Sequence, residues 1–70
     1  MSAIRGDTVI LRDDPNVVHY YDGDIEPGAP LLVVEVFGDS LQVAFTDFTG
    51  YPTTDIVDGK DVKVVTRAPR

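Results

Sequence analysis

The chain has 70 residues and a mass of 7.6 kDa, a length that supports one hydrophobic core and excludes a second domain. Twelve acidic residues against six basic ones give a net charge of −6, which disfavours general binding to nucleic-acid phosphates. The absence of cysteine excludes a disulfide framework and a thiolate metal site. No apolar run approaches the roughly 20 residues of a bilayer span. Residues 1–15 lack the pattern of a signal or transit peptide, so we expect a location in the cytoplasm or on a cytoplasmic membrane face.

The residue mix favours strands over helices. Val, Ile and Thr occupy 21 of the 70 positions, and their branched side chains suit a pleated sheet better than a helix. No window shows a sustained apolar repeat of 3.6 residues, so we predict a nearly all-β chain. Five strands are predicted in chain order, at residues 7–12, 31–37, 41–46, 53–57 and 62–66.

Alternation along the first predicted strand directs Val9 and Leu11 to one face, and Thr8 and Ile10 to the other. The same pattern in the third strand directs Leu41, Val43 and Phe45 into the core and Gln42, Ala44 and Thr46 outward.

Turn and breaker residues separate these strands. The Asp-Asp-Pro-Asn run at 13–16 ends the first strand and opens a long loop over residues 13–30. Residues 38–40 predict a tight hairpin, and residues 58–61 predict a turn with one turn of 3₁₀ helix. Residues 67–70 are predicted to be a frayed tail.

Five short strands with one long early loop predict a small five-stranded SH3-like barrel over residues 1–66. Closing the sheet into a barrel limits the free edges of so small a β protein. The alternative is the five-stranded barrel of the oligonucleotide-binding type. That fold usually carries a helix between its third and fourth strands, and none is predicted here.

The residues available for catalysis are few. His19 is the single histidine, cysteine is absent, and the serines are Ser2 and Ser40. A nucleophilic triad would need Ser40, in a hairpin turn, to meet His19 in another loop. The acidic clusters fall in predicted loops rich in Gly and Pro, so we interpret them as solvated surface. We therefore expect a protein that is not an enzyme and holds no cofactor or metal.

The aromatic residues indicate a binding surface instead. His19, Tyr20 and Tyr21 lie in the long first loop, and Phe48 and Tyr51 lie in the loop between the third and fourth strands. Tyrosine is common at interfaces because it buries a large area and keeps a polar tip. These side chains divide between covering the core and contacting a partner.

Residues 3–12, Ala-Ile-Arg-Gly-Asp-Thr-Val-Ile-Leu-Arg, resemble the opening of the photosystem I reaction-centre subunit IV family, the peripheral E subunit. The stretch 41–45 with Gly50 and Tyr51 looks like its alternating strand that ends in Phe. Residues 61–65 are similar to its closing strand. The resemblance covers most of the chain through short motifs. The chain departs from the family in four ways. It has no Trp, which the family's loop usually carries, and it has Ala44 where a basic residue often precedes the Phe. Residues 22–30 look like an insertion, and the net charge is −6 where the family is often basic.

The resemblance implies a peripheral subunit without a cofactor on the cytoplasmic or stromal face of photosystem I. The implied partners are the two large core subunits and the iron–sulfur subunit, with ferredoxin or flavodoxin docking nearby and no nucleic acid. Arg5, Arg12 and Lys63 are the basic strand residues carried over as contacts. A net charge of −6 disfavours electrostatic steering of acidic ferredoxin by the chain as a whole.

Three alternatives remain at this stage. The S subunit of the photosynthetic NAD(P)H dehydrogenase-like complex and the variable chain of ferredoxin–thioredoxin reductase are similar small barrels. The stretch 43–50 also looks like a Tudor domain, in which Tyr20, Phe45, Asp47, Phe48 and Tyr51 would cage a methylated Lys or Arg. The third alternative is an acidic phage-type inhibitor of a host factor.

Overall fold

The computed structural model describes residues 3–21, 25–26, 28–47 and 49–69, with only the backbone described at Val18 and His19. The elements, in chain order, are β1 (Thr8–Leu11), α1 (Pro15–Tyr20), β2 (Leu31–Phe37), β3 (Ser40–Thr46), β4 (Pro52–Asp58), a 3₁₀ turn (Gly59–Asp61) and β5 (Val62–Thr66).

The five strands form one antiparallel sheet in the order β4-β3-β2-β1-β5. This arrangement confirms the predicted small all-β, barrel-like fold with a long connection between the first two strands. Each predicted strand overlaps an observed one, and the bounds of β2 and β5 agree at both ends. The predicted 3₁₀ turn before the last strand is present as well.

Alternating apolar side chains build the core, as the period of a half-buried strand requires. Val9 and Leu11 from β1 pack with Leu31 and Val33 from β2 and with Val43 from β3, all almost completely buried. Phe45 packs against this core and is only partly buried. The predicted alternation in β1 and β3 is therefore confirmed for the buried positions.

The prediction of a loop throughout residues 13–30 is wrong at α1. Asp14 accepts a hydrogen bond from the Asn16 N–H at 2.9 Å, and Pro15 is the first helical residue. An Asp cap followed by Pro at the first position starts a helix, because Pro has the required φ and needs no donor there. The run at 13–16 therefore ends β1 and also begins α1.

The long connection also contributes to the core. Tyr21, directly after α1, and Ile25 are both buried. The Ile25 N–H donates to the Tyr21 carbonyl at 3.3 Å. This segment is anchored to the sheet at these two positions, where the sequence predicted only a loop.

The register of β2, β3 and β4 defines an outward surface of three cross-strand rows, which we call the outer β2–β4 face. A bulge at Val34 shifts the alternation by one residue, so that Leu32, Glu35 and Phe37 share this side of β2. The rows are Leu32–Ala44–Thr54, Glu35–Gln42–Ile56 and Phe37–Ser40–Asp58.

The edge strand β4 carries an inward carboxylate. Asp55 is opposite the buried Val43 in the register. Pro52 stands at the start of the same strand. Prolines and inward-pointing charges are the devices by which edge strands avoid pairing with other chains.

Asp7 joins the two ends of the chain. Its buried carboxylate accepts hydrogen bonds from the Ala68 N–H at 2.6 Å, the Ile4 N–H at 2.9 Å and Arg67 Nη1 at 3.3 Å. Residues 67–70 were predicted as a frayed tail, and the structure differs at Arg67 and Ala68, because both are held by Asp7.

Candidate protein-interaction surface

The strand order separates the charges of the chain. Residues 13–58 contain ten of the twelve acidic residues and no Lys or Arg, so all six basic residues lie in 1–12 and 59–70. Those two terminal segments contain β1 and β5, which pair with each other at one side of the sheet. We call residues 3–12 and 59–69 the β1–β5 ribbon. An acidic protein therefore has one basic side.

Two of the predicted contact residues come together on this ribbon. Arg12 follows β1, Lys63 lies opposite Ile10 on β5, and both are exposed. They line one open surface depression of about 570 Å³, which Asp13 and Asp14 also border. The backbone fixes this end of the ribbon, since the Arg12 N–H donates to the Asp61 carbonyl at 2.9 Å.

Lys60 is a basic residue that sequence reasoning did not select. It is exposed in the 3₁₀ turn and lines a second open depression of about 560 Å³ together with Arg12. Asp39 and Asp58 lie on the same rim, where the ribbon meets the acidic part of the sheet. The signal that could have found Lys60 is the restriction of all Lys and Arg to the chain ends.

Arg5 and Arg67 have different environments on the ribbon. Arg5 is exposed in the turn before β1, closed by the Asp7 N–H donating to the Ile4 carbonyl at 3.0 Å. Arg67 pairs with Asp7, which is the one ion pair among the described residues. In that part of the chain Arg5, Arg12, Lys60 and Lys63 therefore have no carboxylate at salt-bridge distance.

Tyr20 and Tyr21 are neighbours with opposite roles. Their rings meet edge to face with centroids 4.8 Å apart. Tyr20 is 77% exposed, whereas Tyr21 is 5% exposed. Tyr20 remains a candidate contact residue, and Tyr21 belongs to the core.

The Tyr21 hydroxyl ties α1 to the far end of β4. It donates to Asp61 Oδ2 at 3.0 Å and accepts from the Asp58 N–H at 3.1 Å. Burial, with the Asp61 carboxylate as a further cause, raises the pKa of Tyr21 to about 12. The hydroxyl therefore stays protonated and keeps donating across the physiological range.

Tyr51 is also exposed, at 72%, in the connection between β3 and β4. Asp47 organises this connection, because its Oδ1 accepts from the Thr49 hydroxyl at 2.6 Å and from the Tyr51 N–H at 3.0 Å. These bonds hold the pKa of Asp47 below its usual range, the Thr49 hydroxyl most strongly. The carboxylate is therefore occupied by its own loop.

The Tudor-like cage needs Phe45 outside the core, and Phe45 packs against the core instead. Phe48, a member of that cage, lies outside the described residues, as does the side chain of His19. The ring contact among described side chains is that of Tyr20 with Tyr21. The structure therefore does not assemble an aromatic box from the described residues.

The described residues contain no group of three or more His, Asp or Glu placed to hold a metal ion. No helix in that part of the chain has the length and apolarity that a membrane crossing requires. The fold and these surfaces define a small all-β, barrel-like domain with one basic side and two exposed tyrosines. No family model, curated protein or solved structure matches the chain.

Proposed function

We propose that this protein is a non-catalytic interaction domain that docks an acidic partner on the β1–β5 ribbon. The observation that carries the proposal is the charge separation between residues 13–58 and the two chain ends. Complementary charge across an interface chiefly sets the encounter rate and the orientation of the partner. Because the basic groups are concentrated on one side, the net charge of −6 does not prevent local attraction of an acidic surface.

The basic residues on this ribbon are suited to such contacts. Arg12, Lys60 and Lys63 are exposed and carry no ion pair among the described residues. Cationic side chains that are unpaired in the free protein do not have to break an ion pair before they contact a carboxylate-rich surface, so only the cost of ordering them opposes the contact. Tyr20 is exposed eight residues after Arg12 and would supply contact area rather than charge.

The particular assembly we propose is photosystem I. This part of the proposal rests on the resemblance of residues 3–12 and 41–51 to the peripheral E subunit. In this proposal the chain lies on the cytoplasmic or stromal face, stabilises the acceptor side against the core and iron–sulfur subunits, and assists docking of ferredoxin or flavodoxin. The basic ribbon is the part of the chain that would face an acidic carrier.

Affinity capture from solubilised photosynthetic membranes tests this assignment. We expect the tagged protein to recover the photosystem I core and iron–sulfur subunits, identified by mass spectrometry. The paired variant Arg12→Gln/Lys63→Gln should recover less of them. Thr46→Glu/Thr54→Glu makes the same change in net charge on the other half of the sheet, so its recovery should not fall below that of the wild type.

Two results would overturn parts of the proposal separately. Recovery of soluble acidic partners without photosystem subunits would reject the assignment to photosystem I but would still support a docking surface on the ribbon. Equal recovery by the ribbon variant and its charge-matched control would reject the proposal that the ribbon is a docking surface.

A further inference from the structure

The outer β2–β4 face exposes large apolar side chains on the acidic half of the molecule. Phe37 is 54% exposed, Ile56 is 51% exposed and Leu32 is 46% exposed. Each occupies a different row of the face, so the three side chains surround its centre. A sheet face that only contacted water would carry polar residues at these positions.

The charges on this face have one sign. Glu35 lies between Leu32 and Phe37 along β2, and its row ends at Ile56. Asp58 lies in the row of Phe37. Neither β2, β3 nor β4 contains a Lys or Arg. Adjacent rows place these groups within the reach of one bound segment, since paired side chains on neighbouring strands lie about 5 Å apart.

We propose that the outer β2–β4 face is a second docking surface, whose occupant is a partner segment that presents Lys or Arg and apolar residues together on one of its sides. The apolar groups of that segment would cover Leu32, Phe37 and Ile56, and its cations would reach Glu35 and Asp58. Charge complementarity favours this occupant over an acidic or nucleic-acid partner, because the three rows contain carboxylates and no Lys or Arg, and Lys60 borders them at the Asp58 end. With the basic ribbon on the other side, one small domain would then bridge two partners of opposite charge.

An NMR titration with a defined peptide tests the proposal. The probe is acetyl-Arg-Leu-Leu-Arg-Arg-amide, which carries Arg and Leu on both sides when extended, and the control peptide replaces each Arg by Glu. We expect amide shifts from the basic peptide to concentrate at Glu35, Gln42 and Ile56, with none of comparable size from the acidic peptide. Glu35→Lys and Ile56→Thr should each weaken binding about fivefold or more.

Glu26→Lys is the matched control for Glu35→Lys, since Glu26 is exposed and lies outside this face. Equal weakening by the two variants would overturn the proposal, because it would show a response to net charge alone. Shifts confined to other parts of the molecule would overturn it as well. Concentration-dependent shifts at this face without peptide would also overturn it, because a second copy of the chain would then be the occupant.

Discussion

Asp7 is the residue that connects both ends of the chain to the sheet. Besides the three bonds to its carboxylate, its carbonyl accepts from the Val33 N–H at 2.9 Å. The backbone N–H groups of Ile4 and then Ala68, aided by Arg67, hold the pKa of Asp7 below its usual value of 3.8. The ionised carboxylate is therefore the form that the folded protein stabilises.

Replacing Asp7 by Asn should lower the melting temperature by about 5 °C or more at neutral pH. The neutral amide has one acceptor oxygen, whereas the carboxylate accepts these hydrogen bonds with two charged oxygens. A folded-state pKa below the unfolded value contributes stability above the unfolded pKa, and this stability is lost as the pH falls. The difference in melting temperature between wild type and variant should therefore be constant above about pH 5 and shrink below about pH 4. Thermal unfolding followed by circular dichroism across this range measures it. A difference that is independent of pH down to pH 2 would contradict the role of the charge.

Gly6 precedes Asp7 and has two reasons to be glycine. Its φ is +94°, and a Cβ at this position would lie 3.0 Å from the Ala68 Cβ. Gly38 also has a positive φ of 60°, but a Cβ there would meet no heavy atom within 4 Å. Gly38 therefore lies in the left-handed region that other residues can reach, whereas Gly6 combines a φ beyond that region with the close approach of Ala68.

Gly6→Ala should destabilise the fold by about 2–3 kcal/mol, whereas Gly38→Ala should cost about 1–2 kcal/mol from the left-handed backbone alone. Urea denaturation of both variants measures the two free energies of unfolding. The same loss at both positions would show that the contact with Ala68 contributes nothing.

The helix α1 depends on its two ends. Asp14 caps its N-terminus, and Tyr21 joins its C-terminal end to β4 and the 3₁₀ turn. A helix of six residues is too short to be stable alone, so its stability comes from such attachments. The burial of Tyr21 and Ile25 supplies the rest.

Tyr21→Phe should destabilise the protein by about 1–3 kcal/mol, because the Asp58 N–H loses its acceptor and Asp61 loses a donor. Tyr20→Phe is the matched control, and its effect should stay within about 0.5 kcal/mol because the ring is exposed. Chemical denaturation compares the pair. An equal loss of unfolding free energy in the two variants would show that the hydroxyl of Tyr21 does not stabilise this connection.

The strands could be predicted from local pattern, and α1 could not be recognised by periodicity. Val9, Leu11 and Val43 alternate with outward residues, and this local signal locates the sheet. Six helical residues give no measurable repeat, so only the Asp-Pro cap at residues 14 and 15 signalled the helix. The hydrogen bond from the Ala68 N–H to the Asp7 carboxylate joins residues 61 positions apart, which no local sequence pattern can indicate.

The candidate surface was predictable only in part. Arg12 and Lys63 were selected as basic strand residues, and the strand pairing brings them together. Tyr21 could not be assigned to the core from the sequence, because it shares its motif with the exposed Tyr20. The outer β2–β4 face required the bulge at Val34, which reverses the alternation after Val33 and is invisible in the residue pattern.

The whole molecule is an electrostatic dipole with an excess of negative charge. Ten carboxylates within residues 13–58 repel one another at low ionic strength, and salt screens that repulsion. Raising sodium chloride from about 20 mM to about 500 mM should therefore increase the melting temperature by a few degrees.

Two single substitutions sharpen this expectation. At low salt, Glu35→Gln should raise the melting temperature by about 1–3 °C, and Lys63→Gln should lower it by a similar amount. Both effects should fade at high salt, as differential scanning calorimetry can measure. Effects of the same size at both salt concentrations would show that packing, and not charge, determines them.

We propose that the basic β1–β5 ribbon docks an acidic partner although the chain is acidic overall. The most direct measurement is an NMR titration of the labelled protein with purified plant-type ferredoxin at low and physiological salt. We expect amide shifts around Arg12 and Lys63 that weaken with salt. Binding should be about fivefold to tenfold weaker for Arg12→Gln/Lys63→Gln than for Thr46→Glu/Thr54→Glu. Absence of binding at low salt, or shifts located on β2, β3 and β4, would contradict it.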